Sequence, residues 1–155
     1  MTLYPAVVRL IRALQRSEAG SAAVELAVML PLLAVLALGV TEFGRIYYTA
    51  ITVTDAARAG AQYGAQSTLT SINSVGMNQA VLNDAADVGA ITASSSRFCR
   101  CPDGSTPSCT GSCAGYGGPE VFVQVNASKT VTLLMRYPGL PTAFTVSRTA
   151  TFRVQ

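Results

Sequence analysis

The sequence predicts an α+β protein in which a long N-terminal transmembrane helix continues into an exported domain with a small antiparallel sheet. Three observations carry that prediction. From Ala22 to Val40 the chain holds a single charge, Glu25. Beyond Val40 a run of small residues keeps helical spacing as far as Gly64. Toward the C-terminus two segments alternate apolar and polar residues, with turn residues between them.

At about 1.5 Å per residue the run from Ala22 to Val40 spans roughly 28 Å, close to the hydrocarbon thickness of a bilayer. A carboxylate at depth costs about 3 kcal/mol on insertion scales, so Glu25 needs a partner. A free amino terminus at Ser21, made by cutting after Gly20, would supply a cation for Glu25 of the same or a neighbouring chain. The leader, residues 1–20, carries Arg9, Arg12 and Arg16 against Glu18. Such a bias marks the cytoplasmic side and places the bulk of the chain across the membrane. A secretory signal has its apolar core before the cut; here the core follows it and stays with the mature chain. The alternative is an uncleaved single-pass anchor in which Gly20 has no role. Pro31 removes one backbone hydrogen bond inside the span, either to loosen the helix or as an ordinary membrane-helix proline.

Past Val40, Glu42 and Arg45 are spaced to pair on one helix face, and Tyr47 and Tyr48 fall where an interfacial aromatic belt lies. Ala50, Val53, Ala57 and Ala61 form one stripe, with Ala56, Gly60 and Gly64 as a small-residue row beside it. That row can admit a neighbouring subunit's helix or the protein's own sheet. Asp55 and Arg58 read as a solvated intrahelical pair. The polar stretch Ser67 to Asn73 ends the helix. Asn73 or Ser74 can cap a second helix running to about Asp87, with Val75, Gln79, Leu82 and Ala86 at helical spacing and Gly76 weakening it. Ala90 to Phe98 reads as a serine-rich strand.

Cys99, Cys101, Cys109 and Cys113 lie in the segment CRCPDGSTPSCTGSC, at spacings of one, seven and three residues. These are not the paired knuckles of a zinc ribbon. An exported loop in an oxidising compartment favours two disulfides, each stabilising by about 2–3 kcal/mol. Both the nested pairing, Cys99 to Cys113 with Cys101 to Cys109, and the crossed pairing, Cys99 to Cys109 with Cys101 to Cys113, remain open. Either staples 99–113 into an exposed Pro-, Gly- and Ser-rich surface.

After Gly115 to Pro119, the residues Val121, Val123, Val125, Ala127, Val131 and Leu133 share one parity, broken only by Lys129. This predicts one long strand rather than a hairpin at Asn126 to Lys129. The Asn126-Ala127-Ser128 sequon reads as chance. Tyr137, Pro138, Gly139 and Pro141 turn the chain. In the last strand, Ala143 to Val154, Phe144, Val146, Ala150, Phe152 and Val154 point one way. Strands apolar on one face need a cover, and the outer half of the long helix supplies it.

Composition narrows the function. Half of the 155 residues are hydrophobic, 12% are charged, the net charge is +3, and histidine is absent. The commonest general base and zinc ligand is therefore missing, and no nucleophile stands with a base. No catalytic residue, cofactor or metal site is expected, and no nucleic-acid surface. The expectation is a structural or interaction protein with three parts: a leader at 1–20, a transmembrane helix at 21–45 and an exported domain at 46–155.

The basic leader, the glycine, the small and apolar residues after it and Glu25 at the fifth mature position resemble the cleavage region of type IV pilin-like precursors. The wider text, GSAAVELAVMLPLL followed by EFGR and DAARAGAQYG, resembles the TadE family of tight-adherence pilus pseudopilins over about Gly20 to Gly64, with a weaker echo in the C-terminal strands. The resemblance implies a pilin-like fold and a noncatalytic subunit of a Flp or type IV-like pilus. Such a subunit sits in the inner membrane with its N-terminus cytoplasmic and its C-terminal domain periplasmic or extracellular. It implies as partners a prepilin peptidase, other pilin-like subunits, inner-membrane assembly proteins and lipid. Gly20 and Ser21 would flank the scissile bond, and Glu25 would align subunits through the new amino terminus. Ser21 stands where major pilins have phenylalanine, which favours an accessory role. The competing expectation is a membrane-tethered extracytoplasmic binding or adhesion module, not processed as a pilin, that acts through its cysteine loop.

Overall fold

The computed structural model of the chain describes residues 18–135, 139 and 141–155. The leader's Arg9, Arg12 and Arg16, and Tyr137 and Pro138 of the predicted turn, lie outside them. Helix α1 runs Glu18–Ala65, 48 residues without interruption, with Pro31 inside it. Alanine and leucine dominate its apolar part and favour helix. Thr41, Thr49, Thr52 and Thr54 each donate a hydroxyl to the carbonyl four residues back, which satisfies those hydroxyls within the helix. The helix is long and apolar enough to cross a membrane. From Val24 to Leu36 its large apolar side chains are exposed.

The chain forms two compact units, one ending at Phe43 and one comprising Gly44–Gln155. In the second unit, α1 is followed by a single turn, α2 (Thr68–Ser71). A capping box holds that turn: Ser67 Oγ accepts from the Thr70 N–H, and Thr70 Oγ1 accepts from the Ser67 N–H. The polar stretch that ends the long helix is thus itself helical for one turn. Helix α3 (Ser74–Asp84) starts at Asn73, whose Oδ1 accepts from the Gly76 N–H at 2.9 Å. It ends before the expected Asp87, and a 3-10 turn covers Ala86–Val88.

Strands β1 (Thr92–Arg100), β2 (Glu120–Thr132) and β3 (Ala143–Arg153) form an antiparallel sheet in the order β1-β2-β3. Strand β2 passes through Asn126 to Lys129 unbroken, as its parity requires. Cys99 stands opposite Val121, Val125 opposite Ala150, and Val131 opposite Phe144. The C-terminus is tied down by the Gln155 N–H, which donates to the Ala65 carbonyl at 3.2 Å.

The core joins Val53, Ala56, Ala57 and Ala61 of α1 to Met77, Val81 and Ala85 and to Val123, Val125 and Ala127 of β2. Each fully buried valine here contributes about 1.5–3 kcal/mol of transfer free energy. The inward face of α3 differs from the expected one. Met77, Val81 and Ala85 are buried, whereas Val75 is 77% and Leu82 41% exposed, and Gln79 bonds Asn83 on the outside. Two apolar stripes compete on this short helix. The one that wins places a flexible methionine beside the glycines of α1, where a gap must be filled. Gly76, a defect by helix propensity, is where Tyr63 lies: a Cβ there would stand 2.6 Å from its ring and hydroxyl. Cover over β3 is thinner than the sequence suggests, because Phe144 and Phe152 each remain 36% exposed.

Candidate functional site

Gly20, Ser21 and Glu25 all lie on α1, exposed. The amino-terminal turns of the helix place Glu25 one turn beyond Ser21, as the single charge between Ala22 and Val40.

Of the two readings of the small-residue row, packing against the protein's own domain is the one found. At Gly60 an added Cβ would lie 2.5 Å from Val81 Cγ2, 2.9 Å from the Met77 carbonyl oxygen and 3.1 Å from Val125 Cγ1. At Gly64 it would run into Met77 and come within 3.3 Å of Val123. The row is occupied by the protein's own α3 and β2. Asp55 and Arg58 form the expected solvated pair, 3.6 Å apart.

Four cysteines converge at the end of β1. The bonds are Cys99 to Cys109 and Cys101 to Cys113, with Cα separations of 5.1 and 5.7 Å. The pairing is therefore crossed. Cys99 and Cys101 are two residues apart, so both point to the buried side, and the turn that follows decides which partner each meets. The Cys101 N–H donates to the Ser105 carbonyl at 2.8 Å, and Asp103 Oδ1 accepts from the Ser105 N–H and hydroxyl at 2.9 and 2.7 Å. Gly104 supplies the positive φ of 87° that this reversal needs. The Cys113 N–H then closes onto the Gly117 carbonyl. With all four sulfurs bonded, the loop offers no thiolate to a metal. The hydroxyl and then the amide of Ser105 hold the Asp103 carboxyl below its ordinary value.

A second cluster went unread in the sequence. The Tyr48 hydroxyl donates to Asp87 Oδ2, tying α1 to the 3-10 turn. Lys129, the one break in β2's apolar parity, reaches from the inner face to the Ala90 carbonyl at 2.7 Å. The two line a cleft of about 350 Å³ together with Arg45, Thr130 and Thr132. The lysine in an apolar row was the available signal; nothing in the spacing linked Tyr48 to a residue 39 positions away. Hydrogen bonding to Asp87, and then its negative charge, raises the Tyr48 phenol above 10.0. A raised acid favours the protonated form, so this contact contributes fully below pH 10.0 and is lost as pH rises through the raised value. In a phenolate absorbance titration, Tyr48→Phe is expected to remove a component at the high-pH end. Asp87→Asn is expected to bring that component back toward the ordinary range.

A family model described as TadE-like protein matches residues 20–62. Over these residues the chain is TadE-like. The matched stretch begins at Gly20, takes in Glu25 and Pro31, and stops inside the core-forming part of α1, so the sheet and the cysteine loop lie beyond it. Similarity to TadE-like proteins suggests a component related to the tight-adherence pilus and its assembly machinery. The apolar helix is consistent with membrane anchoring in such a system. No curated protein and no solved structure matches the chain.

Proposed function

We propose that the protein is a noncatalytic TadE-like minor pseudopilin: a single-pass inner-membrane subunit, trimmed after Gly20 by a prepilin peptidase and used in assembling a tight-adherence pilus. One observation carries this reading. Within the TadE-like stretch, Glu25, the single charge between Ala22 and Val40, follows Gly20 by five residues on an exposed apolar helix. Cleavage creates an ammonium at Ser21, which can pair with Glu25 and offset the cost of holding that charge in lipid. Gly20 and Ser21 are helical in the uncut chain, so a peptidase must unwind this end. Glycine eases that by about 1 kcal/mol relative to alanine.

With the small-residue row filled by its own domain, subunit contact falls to the exposed apolar surface of α1. Helices held in lipid by close packing would pass into a bundle in which the Glu25 pair fixes register. The partners are then a prepilin peptidase, other pilin-like subunits and assembly proteins of the same membrane. The C-terminal domain lies on the far side of that membrane from the basic leader.

Mass spectrometry of membrane-extracted protein tests the processing. Cells with the peptidase are expected to yield a chain starting at Ser21, and cells without it one starting at Met1. Recovery of the Met1 chain alone, or of a cut elsewhere, would overturn the reading. The second reading, a tethered binding module, is favoured by the exposure of the stapled loop and its position outside the matched residues. It requires that Glu25→Ala leave function intact while deletion of 102–112 destroys it.

A further inference from the structure

We propose that the outer face of the sheet binds a neutral oligosaccharide. Ser94 and Ser96 of β1 stand opposite Asn126 and Gln124 of β2, and these in turn stand opposite Thr149 and Thr151 of β3. Together they make a continuous field of hydroxyls and carboxamides with no ionisable side chain. Five of them line a shallow cleft of about 280 Å³: Ser94, Ser96, Gln124, Asn126 and Thr149. Asn126 is fixed in place, its Nδ2 donating to Thr149 Oγ1 at 2.9 Å and to Ser147 Oγ at 3.3 Å. One same-face step along the strands, Phe98 and Phe122 stack at 5.5 Å and wall that end with apolar surface. Charge begins at this aromatic level: Arg153 stands opposite Phe122 and bridges to Glu120 at 2.9 Å, and the Arg100 guanidinium lies 5.7 Å from the centre of the Phe98 ring.

Solvation alone does not call for this pattern. Charges of both signs are the usual device for keeping a surface in water, and designed surfaces aim for about a quarter to a third of them. Here three strands share a face of groups that each donate and accept, bounded by aromatic rings. A sugar presents the matching surface, hydroxyls that donate and accept around apolar C–H faces, and it brings no charge that would need neutralising. An acidic peptide or a nucleic acid would find no cation within the cleft. The inference holds whether or not Gly20 is cut, since every residue it uses lies in the exported sheet.

The test is saturation-transfer NMR on the full chain in lipid nanodiscs, with cellohexaose, maltohexaose and chitohexaose as neutral probes and an oligogalacturonate as the charged one. At least one neutral probe is expected to give a saturable response and the oligogalacturonate none. Gln124→Ala, a change on the exposed surface, is expected to weaken binding about threefold to tenfold, as loss of a hydrogen bond in a small site does. Asn83→Ala on α3 is expected to leave it unchanged. Thr149→Val serves as a second variant, and circular dichroism checks the sheet in each. No response from any neutral probe would overturn the proposal. So would a response that both cleft variants leave untouched, and the face would then serve hydration alone.

Discussion

Gly60→Ala is expected to destabilise the unit Gly44–Gln155, although alanine is the better helix former. The helix gains about 1 kcal/mol from the exchange. Against that, the new methyl would stand 2.5 Å from Val81 Cγ2 and 2.9 Å from the Met77 carbonyl oxygen. The valine can rotate, but the carbonyl belongs to the backbone of α3 and moves only if that helix moves. Overpacking of this kind costs about 1–3 kcal/mol. A net loss of up to about 2 kcal/mol is therefore expected, lowering the Tm of a domain this size by several degrees at the upper end. Gly44→Ala is the internal control. Its Cβ meets nothing within 4 Å, so only the helix gain applies and stability is expected to hold or rise. Thermal unfolding of the full chain in nanodiscs, followed by near-ultraviolet circular dichroism, reads both. If Gly60→Ala left the domain as stable as Gly44→Ala while abolishing pili, the row would be a subunit contact rather than part of this domain's core.

The same row shows how far the sequence could be read. A small residue every fourth position announces that something comes close, but the spacing is silent about whose backbone it is. That depended on α3, whose inward face was itself ambiguous: two apolar stripes fit eleven residues, and only the gap beside Gly60 and Gly64 selects Met77 and Val81. Longer signals were less equivocal. Nineteen residues with one charge admit little besides a helix suited to lipid. In β2 the parity of Val121 through Leu133 outvoted the turn-like Asn126 to Lys129, because a hairpin there would have sent half of those valines to the wrong face. Glu25 was legible as an anomaly of charge in an apolar run, and Gly20 only through resemblance. The Tyr48–Asp87 bond and the polar cleft on the sheet arise from register and from contacts distant in sequence, which residue order does not display.

Loss of one disulfide is expected to cost more than the glycine change. The two bonds close loops with sequence separations of 10 and 12, each worth about 2.5–3 kcal/mol as a restriction of the unfolded chain. The variant Cys101→Ser with Cys113→Ser adds the burial of two hydroxyls at positions only 4% and 5% exposed, so its loss is expected at the upper end or beyond. Removing all four cysteines is expected to cost less than the sum of the two pairs, because the loops share residues 101–109 and the second closure restricts a chain already restricted. Denaturant unfolding of the three variants measures this shortfall. The crossed pairing has its own signature: trypsin cuts after Arg97 and Arg100, releasing a Phe98-Cys99-Arg100 tripeptide that fragmentation should place on Cys109. Attachment to Cys113 would mean the nested pairing and would remove the Asp103–Ser105 turn as the reason for the crossing. The damage should also be local. Cys99 pairs with Val121 and Phe98 with Phe122, so loosening the loop frees the end of the sheet that carries the aromatic wall. The α1, α3 and β2 core around Val53 and Val125 lies toward the other end and should keep its protection from hydrogen exchange.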